Sequence, residues 1–427
     1  MRLCFPEKRE KISGSTEKRR GREARRMERI TLAQAVKIML AQVKKIEEKE
    51  TVSLWEAEGR VLAEDITAGR DQPPFARSPL DGYAVRSADI RGADREHPQK
   101  LCVIDEVTAG HVSDKKVEKG TAVRIMTGAP IPEGADCVIK QEDTDYGEEE
   151  VLIWRELKAW ENYCPAGEDY REGDRLLEEG RTLGFVEVGV LAGLGREKVT
   201  VYRRPEAAVI TTGDELLLPG EPAAPGKIYD SNLYTLVTRL ESLGVSVTDK
   251  GRVEDEAATV AKRLAAAAKQ ADILITTGGV SVGKKDIMHE VIQILGCERL
   301  FWKIAIKPGM PTLCARYGEK LLLCLSGNPY GAAVNLELLV RPVLARLTGK
   351  KELLPQKKPA VTDSGYPKRS PVTRYVRSVY EDGHVRIAKG SNDSGILSNL
   401  CGCNCLMEIP AGTEEVREGE MVWVVLL

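Results

Sequence analysis

A chain of 427 residues, 30% of them charged and with a net charge of −2, is too long for one ordinary core, and it has no general pull toward nucleic acid or an anionic membrane. No apolar run approaches the roughly 18–20 residues of a membrane span, and the basic start lacks the apolar stretch of a secretion signal. Two to four domains of a cytoplasmic protein are expected, with the ten cysteines as reduced thiols.

The first 27 residues hold ten Lys or Arg against four Glu, with a lone Phe5 and no alternating aromatics. They read as a disordered basic extension, or as a start placed upstream of Met27, rather than a nucleic-acid arm. Thr31 caps a predicted helix to about Glu48, with Val36, Met39, Leu40, Val43 and Ile46 at helical spacing. Pro73-Pro74 opens a loop, and residues 100–154 alternate short β-rich runs with turns. Helical character returns over 184–195. The expected order is an extension (1–27), an elongated linker domain in two segments (28–72 and 169–204), and a β-rich domain (73–168) inserted between them.

From Pro205 to Gly349 strands and helices alternate, which predicts a three-layer α/β domain on a parallel sheet over 205–350. Helices are expected at 231–243, 256–269, 286–295 and 330–348. Past Pro355 short strands take over, and Asp382-Gly383 marks a hairpin between Arg374–Tyr380 and His384–Ile387. A C-terminal β-barrel is expected over 355–427, ending in the strand Met421–Leu427. The fold class is thus multidomain α/β.

Within the α/β region three strands end in small residues: Thr211-Thr212-Gly213-Asp214-Glu215, Thr277-Gly278-Gly279-Val280-Ser281 and Ser326-Gly327-Asn328-Pro329. Glycine lets backbone approach a ligand closely, and such folds bind ligands at the carboxyl edge of the sheet, so a phosphate-bearing ligand is expected there. Glu215, Asp255 and Asp286 lie beside these turns. Carboxylates near a phosphate site suit Mg²⁺, although Asp255 and Asp286 read equally as helix N-caps. Lys303 and Lys307 share the parity of one strand face and so could point at one anion. Asp81 (in Leu80-Asp81-Gly82), Thr127 and Asp169 sit in turns. Four scattered histidines offer no metal or triad spacing, and Cys401, Cys403 and Cys405 would share a face if extended but lack a fourth zinc ligand. Neither a Walker loop nor a strand-end Gly-x-Gly-x-x-Gly occurs.

In order, these motifs and the Pro-Pro-Phe loop, Arg124–Ala129, Pro132–Asp136, Gly167-Glu168-Asp169 and Tyr229–Asn232 make the chain resemble the molybdopterin molybdenumtransferase family, MoeA and the gephyrin E domain included. The resemblance implies a homodimer with a shared active site, working alongside other molybdenum-cofactor biosynthesis proteins. It implies a Mg²⁺- or Zn²⁺-dependent reaction in which adenylylated molybdopterin and molybdate (or tungstate) give molybdenum cofactor and AMP. Glu215 and Asp286 would handle metal and phosphates, while Gly278, Gly279 and Ser281, with Ser326, Gly327 and Asn328, would cradle the pterin phosphate. Lys303 and Lys307 would neutralise charge, and Asp81, Thr127, Asp169 and Asp255 would complete the site. From the C-terminal domain come an arginine, Arg374 or Arg377, and a serine, Ser391 or Ser394. Met310 departs from the lysine that many relatives carry there. The rival readings are a scaffold like the gephyrin E domain and a pterin adenylyltransferase sharing the α/β domain.

Overall fold

The computed structural model describes residues 29–280 and 287–427. The basic extension, Ser281 and Asp286 lie outside them. Two compact units are present, one of residues 52–58 and 62–199, the other of the remainder.

Helix α1 (Leu32–Leu40) starts at a capping box in which the Thr31 hydroxyl accepts from the Gln34 amide and Gln34 accepts from the Thr31 amide. It stops eight residues short of the expected Glu48. Val43 and Ile46 are still buried, but they are delivered by a turn and an extended stretch whose Ile46 amide bonds the Leu347 carbonyl at 2.8 Å. Apolar residues three apart fit either conformation, and here the main-chain bond to a later helix decides.

The 62–199 unit is built on a five-stranded sheet of β1 (Gly82–Val85), β2 (Gln99–Val107), β3 (Thr121–Ile125), β4 (Cys137–Lys140) and β5 (Glu150–Ile153), in the order β4-β1-β3-β2-β5. Alternation places Tyr83, Val85, Ile139 and Ile153 in one core and Ala84, Val123, Ile125 and Val138 in another. Helix α2 (Phe185–Gly193) follows.

The other unit carries a six-stranded sheet. In chain order come β6 (Glu206–Thr212), α3 (Ser231–Ser242), β7 (Ser246–Val253), α4 (Ala257–Ala267), β8 (Ile273–Thr277), α5 (Met288–Ile294), β9 (Glu298–Trp302), β10 (Ile306–Lys307), β11 (Leu313–Tyr317), β12 (Lys320–Leu325), α6 (Pro329–Asn335) and α7 (Arg341–Thr348). The strand order is β7-β6-β8-β12-β11-β9, with β10 outside it. The first four strands are parallel, as expected, but β11 runs antiparallel to both its neighbours, β12 and β9, so the sheet is mixed. Ala207 and Val209 face a core shared with α1, α3 and α7, while Ala208 and Ile210 face α4 and α5. Covering both faces gives three layers.

The chain ends in β13 (Lys357–Thr362), β14 (Thr373–Glu381), β15 (His384–Ile387), β16 (Cys405–Ile409) and β17 (Met421–Leu426). They pair in the ring β14-β15-β13-β17-β16 and back to β14, a closed barrel. The Asp382-Gly383 hairpin stands, with φ of 46° and 85° at the two turn residues. Cys401 and Gly402 form a turn, so the three nearby thiols do not share an extended face.

Candidate functional site

Strands β6, β8 and β12 run in register (Thr211 beside Thr277, Thr277 beside Leu325), so their carboxyl ends lie abreast. The loops that follow touch. A Cβ on Gly278 would sit 2.1 Å from the Thr212 carbonyl oxygen, and one on Gly327 would be 3.4 Å from Gly278 Cα. Gly278 and Gly279 also hold φ of 94° and 59°, which side chains resist. Glycine is therefore required twice over at 278.

Carboxylates border this edge. Glu215 is exposed and folds back over Gly213, where a Cβ would meet its Oε2 at 2.8 Å. Asp255 does not cap α4, whose N-cap is Glu256. Instead Asp255 Oδ2 accepts from the Asp214 amide at 3.4 Å, while Oδ1 is buried with no hydrogen-bond partner among the described residues. Burial pushes the Asp255 carboxyl above its ordinary range, and the charges of Asp214 and Glu215 add to this. Among the described residues no three metal-ligating side chains converge.

The lysine pair departs from expectation. Strand β9 ends at Trp302, and Lys303 turns into left-handed backbone with φ of 66°. The chain there leaves the sheet to reach the barrel, the Ile304 amide bonding the Met310 carbonyl and Ala305 bonding Ile30. Lys303 and Lys307 thus share no strand face. Lys303 Nζ lies 3.5 Å over the Trp302 ring, which His289 meets edge-on. Lys307 is exposed in β10, which pairs in parallel with β14 so that Lys307 is beside Arg374. Arg374 Nε is buried without a partner among the described residues. Arg377 is fully buried, its two terminal nitrogens donating to the carbonyls of Ile396 and Asp393 at 2.6 and 2.7 Å.

The third loop is anchored by flagged residues and by one, Asn335, that the sequence did not flag. Asn335 accepts from the Ser326 amide and donates to the Gly309 carbonyl, tying the Ser326–Asn328 loop to the Pro308-Gly309-Met310 turn. Asn232 donates to the Gly327 carbonyl at 2.8 Å and keeps a buried Oδ1 with no partner among the described residues. Asn328 donates to the Ser394 hydroxyl at 2.9 Å. A lone amide in an apolar helical run, as in Val334-Asn335-Leu336, was the available signal.

In the 62–199 unit the Thr127 amide and hydroxyl both donate to Asp81 Oδ1 at 2.7 Å, holding Asp81 below the usual carboxylate range. Asp169 is exposed, its amide bonded to the Gln72 carbonyl. Main-chain bonds of Arg77 with Cys164 and of Ser78 with Gly128 and Ala129 knit these loops together.

Three described regions match in order: the MoeA N-terminal region (domain I and II) over residues 30–195, a probable molybdopterin binding domain over 208–346, and the MoeA C-terminal region (domain IV) over 359–427. The molybdopterin molybdenumtransferase of Staphylococcus epidermidis is 37% identical over 407 residues, covering 93% of this chain and 95% of its own. The chain belongs to the molybdopterin molybdenumtransferase family. The molybdopterin molybdenumtransferase of Bacillus subtilis is likewise 37% identical, over 89% of this chain and 90% of its own. The architecture is that of the family: the molybdopterin biosynthesis moeA protein of Pyrococcus horikoshii superposes with a TM-score of 0.78 at 33% identity, over 93% of this chain and all of its own.

Proposed function

We propose that this protein inserts molybdate, or tungstate, into adenylylated molybdopterin and releases AMP. Family membership makes it an enzyme of molybdenum cofactor biosynthesis, a molybdopterin molybdenumtransferase. The observation that carries the finer reading is the meeting of three loops at one sheet edge, where Gly278 leaves no room for a side chain. Backbone held that close, with φ that only glycine accepts easily, suits a phosphate cradle. Lys307 and Arg374, register neighbours on adjacent strands, repel each other unless an anion lies between them. They are our candidates for the oxyanion, and we assign Lys303 and Ser394 to the same role.

The donor set is all oxygen, and Asp255 presents a buried carboxylate oxygen with no hydrogen-bond partner among the described residues, which fits a cation. Mg²⁺ needs only one or two protein carboxylates because phosphates and water complete its shell. Glu215 and Asp286 would hold it, and it would offset charge on the phosphoanhydride. The protein's own part is positional: Gly278 and Gly279 admit the phosphate, and Asp255 is kept close by the Asp214 amide. We assign Asp81, Thr127 and Asp169 to the same reaction, in a cytoplasmic homodimer whose domains follow the divisions expected above.

Anaerobic incubation with adenylylated molybdopterin, followed by chromatography of AMP, tests this. Release should require both a divalent metal and molybdate or tungstate, and Glu215→Gln should cut turnover strongly without changing the melting temperature. Release without metal and oxyanion, or none at all, would refute it.

A further inference from the structure

The 62–199 unit holds a cleft of about 490 Å³ whose walls include Arg77, Thr127, Trp160, Asn162, Tyr163 and Cys164. We propose that it binds a planar heteroaromatic ring carrying a phosphate, with the ring stacked on Trp160 and the phosphate held by Arg77.

Trp160 is 65% exposed on the cleft wall, so its ring is open to a ligand. It is displayed by strained backbone: Trp160 and Asn162 hold φ of 73° and 54°, a region that residues other than glycine enter at a cost. The fold enforces this conformation. The Trp160 amide bonds the Asp136 carbonyl at 2.6 Å, and Asn162 Nδ2 bonds the Val138 carbonyl at 2.9 Å. Tyr163 meets the Trp160 ring edge-on, with centroids 5.0 Å apart and planes at 87°, which fixes the plane a ligand ring would meet. Strain kept to present an aromatic face is what a clamp for a flat ligand requires.

Arg77 supplies the charge. Its main chain pairs with Cys164 in both directions and its Nε reaches Cys164 Sγ at 3.4 Å, so the guanidinium is oriented. Its terminal nitrogens make no hydrogen bond or ion pair among the described residues. Glu168, also on the cleft wall, accepts from the Cys164 thiol at 2.6 Å and adds its negative charge to the field at Arg77 without a direct ion pair. A fork with two uncommitted nitrogens matches a phosphate.

Both halves of adenylylated molybdopterin offer a flat ring and a phosphate, so the inference rests on the proposed function for its relevance but is tested without it. Purified full-length protein is titrated with AMP and, separately, with neopterin monophosphate, following tryptophan fluorescence and calorimetry. One of the two should bind, and the half it represents is the occupant. For that ligand Trp160→Ala should raise Kd about tenfold, Trp160→Phe should recover most of the loss, and Arg77→Gln should raise Kd by about tenfold. In the transferase assay the Trp160→Ala effect should appear in KM more than in kcat. The inference is overturned if neither probe binds the wild type at millimolar concentration, or if Trp160→Ala and Arg77→Gln leave binding unchanged while the melting temperature shows them folded. A wild type that binds a probe at this cleft but releases no AMP would overturn the proposed function instead.

Discussion

Burial, with the neighbouring charges of Asp214 and Glu215, raises the Asp255 carboxyl above its ordinary pKa, and the sign of that shift has a measurable result. The folded protein holds this proton more tightly than the unfolded chain does. Stability therefore falls as pH rises from near 4, the usual value, through the raised one, and the loss persists at neutrality. Asp255→Asn should raise the melting temperature at pH 7, because its carboxamide oxygen still accepts from the Asp214 amide. The gain should vanish near pH 4, and millimolar Mg²⁺ should stabilise the wild type more than the variant. Equal melting temperatures at both pH values, with and without Mg²⁺, would show that the crowding of carboxylates carries no energy. Sequence marked Asp255 as site or N-cap, and the structure removes the second reading, since Glu256 holds the cap position. Asn232 and Asn335 were less legible, because an amide looks alike on a helix surface and braced against a loop carbonyl.

Among the elements, the glycine loops read most clearly from sequence, since the need for glycine is local. Two glycines test how far that need is steric. Gly278 faces the Thr212 carbonyl, while Gly296, with φ of 66°, has open space where a Cβ would go. Gly296→Ala should cost about 1–2 kcal/mol from left-handed backbone alone and leave turnover intact. Gly278→Ala should lower the melting temperature further and abolish turnover, because Thr212 sits in β6 and cannot yield cheaply. Similar melting temperatures and turnover for the two would mean that the close approach is unimportant. Where the elements misread, the cause was non-local. Helix α1 ends early because Ile46 finds a main-chain partner at Leu347, and the lysine parity fails because the chain changes sheets at Lys303.

At the level of the whole molecule, the unit of residues 52–58 and 62–199 has cores of its own on both faces of its sheet. A fragment spanning 52–199 should therefore fold alone and show dispersed amide resonances with a cooperative thermal transition. A collapsed, undispersed spectrum would mean that these cores need the rest of the chain. The layered α/β plan and the barrel were legible because periodicity and turn chemistry are repeated many times along each segment. The reversal at β11 was not, although it rests on a local hairpin that pairs Tyr317 with Lys320 across Gly318-Glu319.

Strand β10 has a bearing on how such a protein can be remodelled by recombination. It lies within the region matched as a molybdopterin binding domain but bonds to β14, in the region matched as domain IV. The alignment of Lys307 with Arg374 is written in peptide groups, which every sequence possesses, and not in the side chains themselves. A crossover that joined one ancestor's central module to another's terminal module would keep the two positions adjacent while drawing their residues from separate lineages. Heredity can thus reshuffle the chemistry at this seam without disturbing its geometry.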